Sequence, residues 1–289
     1  MGTDDLQVLS ATQWQSVSDA DLGALSSQQW RAMAADDLKA LNTNQWAALD
    51  TAVGIYFTST QWSAFATDDL NAIDDGLWSG LATSMLRALT TAQWAALSTA
   101  ALEAIGSEQW RTLLSDDLNA LSSQQWARLA SDELQALSTA QWALLSTRSL
   151  RAIGSDQWAL LATDDLVALS TAQWAALASD DLAALESTQL RLMQSSDLQA
   201  LTTAQWRALD DEKLSALTSA QWRAMASDNL QALTTAQWSA LSTDAMGYLS
   251  STQWSLIATD DLRALDTNQW SMATSSALRA LNTAQWAAI

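Results

Sequence analysis

Tryptophan stands at Trp14, Trp30, Trp46, Trp62, Trp78, Trp94, Trp110, Trp126, Trp142, Trp158 and Trp174, and again at Trp206, Trp222, Trp238, Trp254, Trp270 and Trp286. Successive indoles are 16 residues apart, except across one gap of 32 in which Leu190 holds the missing place. Eighteen such units account for residues 2–289, which reads as a single continuous repeat array without separate caps. A period of this size marks a repeat architecture, in which no unit can bury its apolar face alone and stacked neighbours must do so together.

Each unit divides into two related octads, such as Thr171-Ala172-Gln173-Trp174-Ala175-Ala176-Leu177 and Ser179-Asp180-Asp181-Leu182-Ala183-Ala184-Leu185. Trp-type and Leu-type octads alternate. An unbroken α-helix cannot carry this pattern, because at about 100° per residue an eight-residue repeat drifts by about 80° each time. Strands are excluded by the lack of alternation in Leu-x-Ala-Leu and by the scarcity of Val and Ile. Every octad is therefore expected to form its own helix of about six residues. Ser, Thr or Asp stands three residues before almost every anchor and is expected to be the N-cap, with acidic residues following in the first turn. Four residues past the anchor, Asn42, Gly106 and Gly154 are expected to end helices through left-handed backbone. The predicted fold is all-α, an α-solenoid of eighteen 16-residue miniature helical hairpins, with Leu-type helices in one layer and Trp-type helices in the other, superhelical or closed.

Helices this short have no stability of their own, since nucleation dominates until about 12 to 15 residues are joined. Burial of one indole removes about 150 to 250 Å² from water, which area bookkeeping values at roughly 4 to 6 kcal/mol as an upper estimate. The seventeen Trp residues and Leu190 are accordingly expected to form the structural core. Stacked hairpins about 9 to 10 Å apart would hold neighbouring rings beyond direct aromatic contact, which needs about 4.5 to 7 Å. With the anchor at 0°, the residues two and three positions on fall near 200° and 300°, completing the apolar face, while the next residue, often Arg, points outward and is free to vary. The residue before the anchor is Gln in all Trp-type octads except at Leu77. Its angle sets it beside the core, so Gln93, Gln125, Gln141, Gln173 and Gln205 are predicted to hydrogen-bond a neighbouring repeat, because an unpartnered buried amide costs about 1 to 3 kcal/mol.

The chain has no Cys, His or Pro, and its 32 acidic and 13 basic residues give a net charge of -19. Thiolate and imidazole chemistry is thereby absent, and the charge opposes binding to a phosphate backbone or an anionic membrane. No apolar run is long enough to span a membrane, and Met1-Gly2-Thr3-Asp4-Asp5 does not resemble a signal peptide, though neither fixes the localisation. Asp-Asp pairs such as Asp36-Asp37, Asp116-Asp117 and Asp180-Asp181 lack the Gly-containing loop of a calcium site and are read as first-turn acids. No octad gathers reactive groups, so neither an enzyme nor a cofactor or metal site is expected. Tyr56 and Tyr248, each beside a Gly-containing step, are read as filling the room that the glycine opens, or as contact points for a partner.

Octads such as Thr91-Ala92-Gln93-Trp94-Ala95-Ala96-Leu97 resemble short repeats in long bacterial surface or secreted proteins, which implies an extracellular stalk or filament role. A similar local pattern opens the repeat of the transcription-activator-like effectors, whose units are about twice as long and bind DNA, a role the charge here opposes. The first and last octads look internal, and uncapped ends want partners. The expectation is therefore a structural scaffold that assembles with itself as fibre, tube, ring or stalk segment; the alternative is a solenoid module that binds an extended peptide or protein.

Overall fold

One short helix forms per octad. The computed structural model describes residues 2–289, and among these it contains thirty-five α-helices of four to six residues, one 3₁₀ helix at Thr51–Tyr56, and no strand. The all-helical solenoid expected from the repeat is the architecture found. Two compact units divide it, one ending at Ala152 and the other running from Ile153 to Ile289.

The joints between helices differ from expectation by one residue. In Thr91–Ala96 the N-cap is Thr90, four residues before Trp94: its hydroxyl accepts from the Gln93 N–H at 3.2 Å, and Gln93 Oε1 accepts from the Thr90 N–H at 2.7 Å. This reciprocal capping box satisfies two of the backbone donors that a helix start leaves unpaired. The same arrangement opens Thr139–Leu144 and Thr203–Ala208. The Ser or Thr three residues before the anchor is thus the first helical residue. Asn42, Gly106 and Gly154 do not end helices; they cap the next ones from extended backbone, with φ of -92°, -74° and -80°. No described residue has a positive φ.

Many of the six-residue helices stop because the residue three past the anchor turns extended. Leu97, at φ -59° and ψ 141°, closes Thr91–Ala96 by donating its N–H to the Trp94 carbonyl. This turn carries the Leu97 side chain inward, where it is buried, and leaves the +2 position at the rim. Leu144, Leu160 and Leu192 occupy that +2 position and are 62%, 54% and 50% exposed, so the expected third member of the apolar face belongs largely to the surface. Six helical residues, one extended residue and one cap make up the period of eight.

Within each unit, the closely packed helices are three octads apart. In the first, Ala11–Ser16 packs on Ala35–Ala40 and Thr91–Ala96 on Ser115–Ala120; in the second, Ser155–Trp158 packs on Ser179–Ala184, which packs in turn on Thr203–Ala208. Adjacent octads are not among the closely packed pairs. The chain therefore winds through about three helices before meeting itself, instead of folding back as 16-residue hairpins. Because three is odd, each such contact sets a Trp-type helix against a Leu-type helix, and the expected segregation into two layers does not occur.

Candidate functional site: the indole core and its amide ladder

The indoles from Trp14 to Trp254 are at most 1% exposed, and Leu190 is equally enclosed. Trp270 is half-buried. Trp286 departs from the expected core at 49% exposed, because the described residues include none of the octads three and four further on that cover the other anchors. Winding also brings some rings closer than linear stacking allows: Trp62 and Trp78 are 5.9 Å apart and Trp254 and Trp270 5.7 Å apart, within direct aromatic contact. No hydrogen-bond acceptor lies at the buried indole N–H of Trp14, Trp30, Trp46, Trp62, Trp78, Trp94, Trp110, Trp126, Trp174, Trp206, Trp222 or Trp238. Each such donor costs about 1 to 3 kcal/mol, less than the roughly 4 to 6 kcal/mol from apolar burial of the ring, so burial wins at every repeat. These rings offer no face to a sugar, a base or a peptide.

The amide before an interior Trp anchor joins octads that are four apart. Gln93 Nε2 donates to the carbonyls of Trp62 and Phe65 at 3.0 and 2.9 Å, while its Oε1 serves the local cap. Gln125 binds Trp94 and Leu97 in the same way, Gln141 binds Trp110 and Leu113, and Gln205 binds Trp174 and Leu177. Gln173 takes the N–H of Ser170 through its Oε1. One carboxamide thus closes a helix start and satisfies two carbonyls at the end of an earlier helix. Gln can do this because it carries an acceptor and a two-proton donor on one planar group.

A second ladder runs where the helix angles predict free surface. The residue after the anchor reaches the +2 carbonyl three octads on: Arg87 Nε donates to Thr112 O at 2.7 Å and Arg207 Nε to Ala232 O at 3.2 Å. Asn71 donates to Ala96 O and also accepts from the Ser98 N–H, and Asn119 does the same with Leu144 O and Ser146 N–H. The sequence signal was the excess of Arg, Asn and Gln at this position, all of them N–H donors on long or planar side chains.

Most Leu-type octads place Asp, Glu, Asn or Ser where Trp-type octads place Gln, the exceptions being Val53, Met85, Ala101, Lys213, Ala245 and Ala277. Burial, the largest cause, pushes the carboxyls of Asp69, Asp117 and Asp165 up to about 6, aided by the adjacent Asp68, Asp116 and Asp164. Burial likewise raises Asp181 and Asp197, which their hydrogen bonds partly offset. Among the described residues no group of three or more potential ligands is placed to hold a metal ion.

The breaks in the repeat compensate one another. A Cβ on Gly54 would lie 2.4 to 2.8 Å from the side chain of Leu77, which replaces the usual Gln three octads on. Leu77 thus fills the space left by a missing anchor, and Phe57 and Phe65 pack edge-on against Trp46 and Trp62 beside it. That space does not take Tyr56, which sits half-buried at the rim with its carbonyl accepting from Arg31 Nε at 3.2 Å. Tyr248 is also half-buried and lines an open groove with Arg191 and Asp244.

Short helices held by regular amide ladders define the chain as a helical repeat protein. The family model of the ALTTAQ repeat matches residues 191–227. That stretch contains Ala200-Leu201-Thr202-Thr203-Ala204-Gln205, which runs from the end of one helix through the extended Leu201 and the cap Thr202 to the bridging Gln205. No curated protein matches the chain. No helix among the described residues is long and apolar enough to cross a membrane.

Proposed function

We propose that the chain is a structural repeat protein that assembles with further copies of itself, end to end, by continuing its internal bonding pattern. The observation that carries this reading is the complementarity of the two terminal turns. Interior Gln side chains donate to carbonyls 31 and 28 residues earlier, as Gln45 does to Trp14 and Val17. Gln13 uses its Oε1 on its own cap, and it is exposed, with no carbonyl partner for its Nε2 among the described residues. An open groove of about 470 Å³ lies beside it, lined by Leu6, Leu9, Trp14, Val17 and Leu25. At the other end Trp286 and Ile289 are about half exposed, and the described residues supply Arg279 with no carbonyl like the one that Arg87 finds 25 residues on.

A second copy in the 16-residue frame supplies both halves. Trp286 of one copy then precedes Trp14 of the next by one repeat. Gln13 donates to Trp270 O and Ala273 O, Arg279 donates to Ser16 O, and Trp270 and Leu278 cover the groove. Such a head-to-tail contact is heterologous and gives filaments, or rings where the rotation closes. Self-repulsion at a net charge of -19 makes association strengthen with salt. Analytical ultracentrifugation and electron microscopy over a range of concentration and salt test this. Chains or rings that Trp286→Glu and Arg279→Glu disperse support it; a monomer at every concentration and salt level refutes it.

A further inference from the structure

Glu133 occupies, in a Leu-type octad, the slot that Gln fills in Trp-type octads, and it has the same length as Gln. One carboxyl oxygen repeats the local half of the Gln arrangement: Oε2 accepts from the Ala130 N–H at 2.6 Å, as Gln141 Oε1 accepts from the Ser138 N–H at 2.8 Å. Gln141 then donates through Nε2 to the carbonyls 31 and 28 residues earlier, those of Trp110 and Leu113. The residues 31 and 28 before Glu133 are Leu102 and Ile105, so their carbonyls hold the places that Trp110 O and Leu113 O hold for Gln141. Asn229 shows that a polar side chain in a Leu-type slot can both cap locally and reach the octad four back, since its Oδ1 accepts from the Ala226 N–H while its Nδ2 donates to the carbonyl 30 residues earlier, that of Gln199, at 3.4 Å. A carboxylate in the slot would set an anionic acceptor against carbonyl acceptors in a site that is only 5% exposed.

We propose that Glu133 holds its proton well above the usual carboxylate range and donates it as an O–H hydrogen bond to the Leu102 or Ile105 carbonyl, so that this turn is locked in the acid form and loosened when the proton leaves. The charges around the site agree. Burial is the main cause that lifts the carboxyl to about 7; the Ala130 N–H opposes this, while Asp132 on its own helix and Glu103 four octads back raise it further. The helix packed against it in the same unit, Ser107–Trp110, carries Glu108 and leads into Arg111, neither of which is among the groups acting on the carboxyl. Asp117 marks the limit of the device. It holds the same slot but is one methylene shorter, and its Oδ2 is buried without a partner.

The test is a carbon-13 NMR titration of the full chain at low concentration, with the Glu133 carboxyl assigned by its disappearance in Glu133→Gln. The expected result is a midpoint near 7, with the Leu102 or Ile105 carbonyl carbon moving at the same midpoint. In parallel, the folding equilibrium constant of the wild type loses about tenfold more between pH 6 and pH 8 than that of Glu133→Gln, and the variant is the more stable of the two at pH 8. A Glu133 midpoint near its ordinary 4.5, carbonyl carbons that do not follow it, or a Gln variant less stable than wild type at pH 8 would overturn the proposal.

Discussion

Replacing Gln205 by Met keeps the length and bulk of the side chain while deleting its carboxamide. The residue is 1% exposed, and the amide holds the turn through bonds to Trp174 O at 2.8 Å, Leu177 O at 3.0 Å and the Thr202 N–H at 2.7 Å. Three hydrogen bonds at a net value of about 1 kcal/mol each give roughly 3 kcal/mol. The Trp174 carbonyl keeps its bond from the Leu177 N–H, and the Thr202 N–H, on an exposed residue, can turn to water, so neither adds a large desolvation cost and the total stays near about 3 kcal/mol. Urea unfolding followed by circular dichroism measures it, with amide exchange at Thr202 as the local reporter. The matched control is Gln13→Met, which removes the same group from an exposed site where it makes only its local cap bond to the Ser10 N–H and hydroxyl, and it is expected to cost about 1 kcal/mol. Equal midpoints for the two variants, or a wild-type midpoint for Gln205→Met, would refute the claim that the amide ladder binds the turns together.

Trp142→Ala at a fully buried anchor should cost about 3 to 5 kcal/mol in the same assay, as other large-to-small core changes do. Gly54→Leu should destabilise the wild type, because its side chain meets Leu77 at under 3 Å, yet stabilise a Leu77→Gln background, where anchor and amide are both restored; a double-mutant cycle reads the coupling, and additive effects would count against compensation. Stability should fall as pH rises from about 5 to about 7.5. Asp69, Asp117, Asp165 and Glu133 have folded values of about 6 to 7, above their unfolded ones, so the folded state binds more protons in that window and loses the advantage as pH climbs through the folded values. Discounted for the water that reaches these sites, the loss is about 1 kcal/mol per carboxyl, and a stability that instead rises across the window in thermal melts would contradict the sign.

Period, helicity and the identity of the anchors were legible in the sequence because each rests on strong chemistry that repeats at fixed spacing. The joints were misjudged by one residue because Ser or Thr commonly fills two successive positions, as at Thr90-Thr91 and Thr202-Thr203, and composition alone favours the more regular of the two. The capping-box spacing from Thr90 to Gln93 carried the information to choose between them. Pairing could not be read from the period. Alternation of Trp and Leu makes 16 residues the visible repeat, but which helix packs on which depends on the turn angle at the extended residue. The ladder formed by Arg87, Asn71 and Asn119 was missed for the same reason, since helix angles place those side chains outward and only the winding brings a carbonyl to meet them.

The alternation itself follows from the winding. Close packing is between octads three apart, so a large anchor always faces a small one, and the two interdigitate at a constant total volume. The amide ladder joins octads four apart, an even number, so it always links like with like: Gln beside a Trp reaches the carbonyl of an earlier Trp. Were every octad Trp-type, the contacts at three would be overpacked; were every octad Leu-type, the short helices would lack the burial that offsets their nucleation cost. A two-octad unit is the smallest that satisfies both spacings. That also explains why Leu190 is tolerated at a Trp place: it alters one volume in the packing at three, while Gln189 beside it keeps its bond to the Leu161 carbonyl at 2.9 Å.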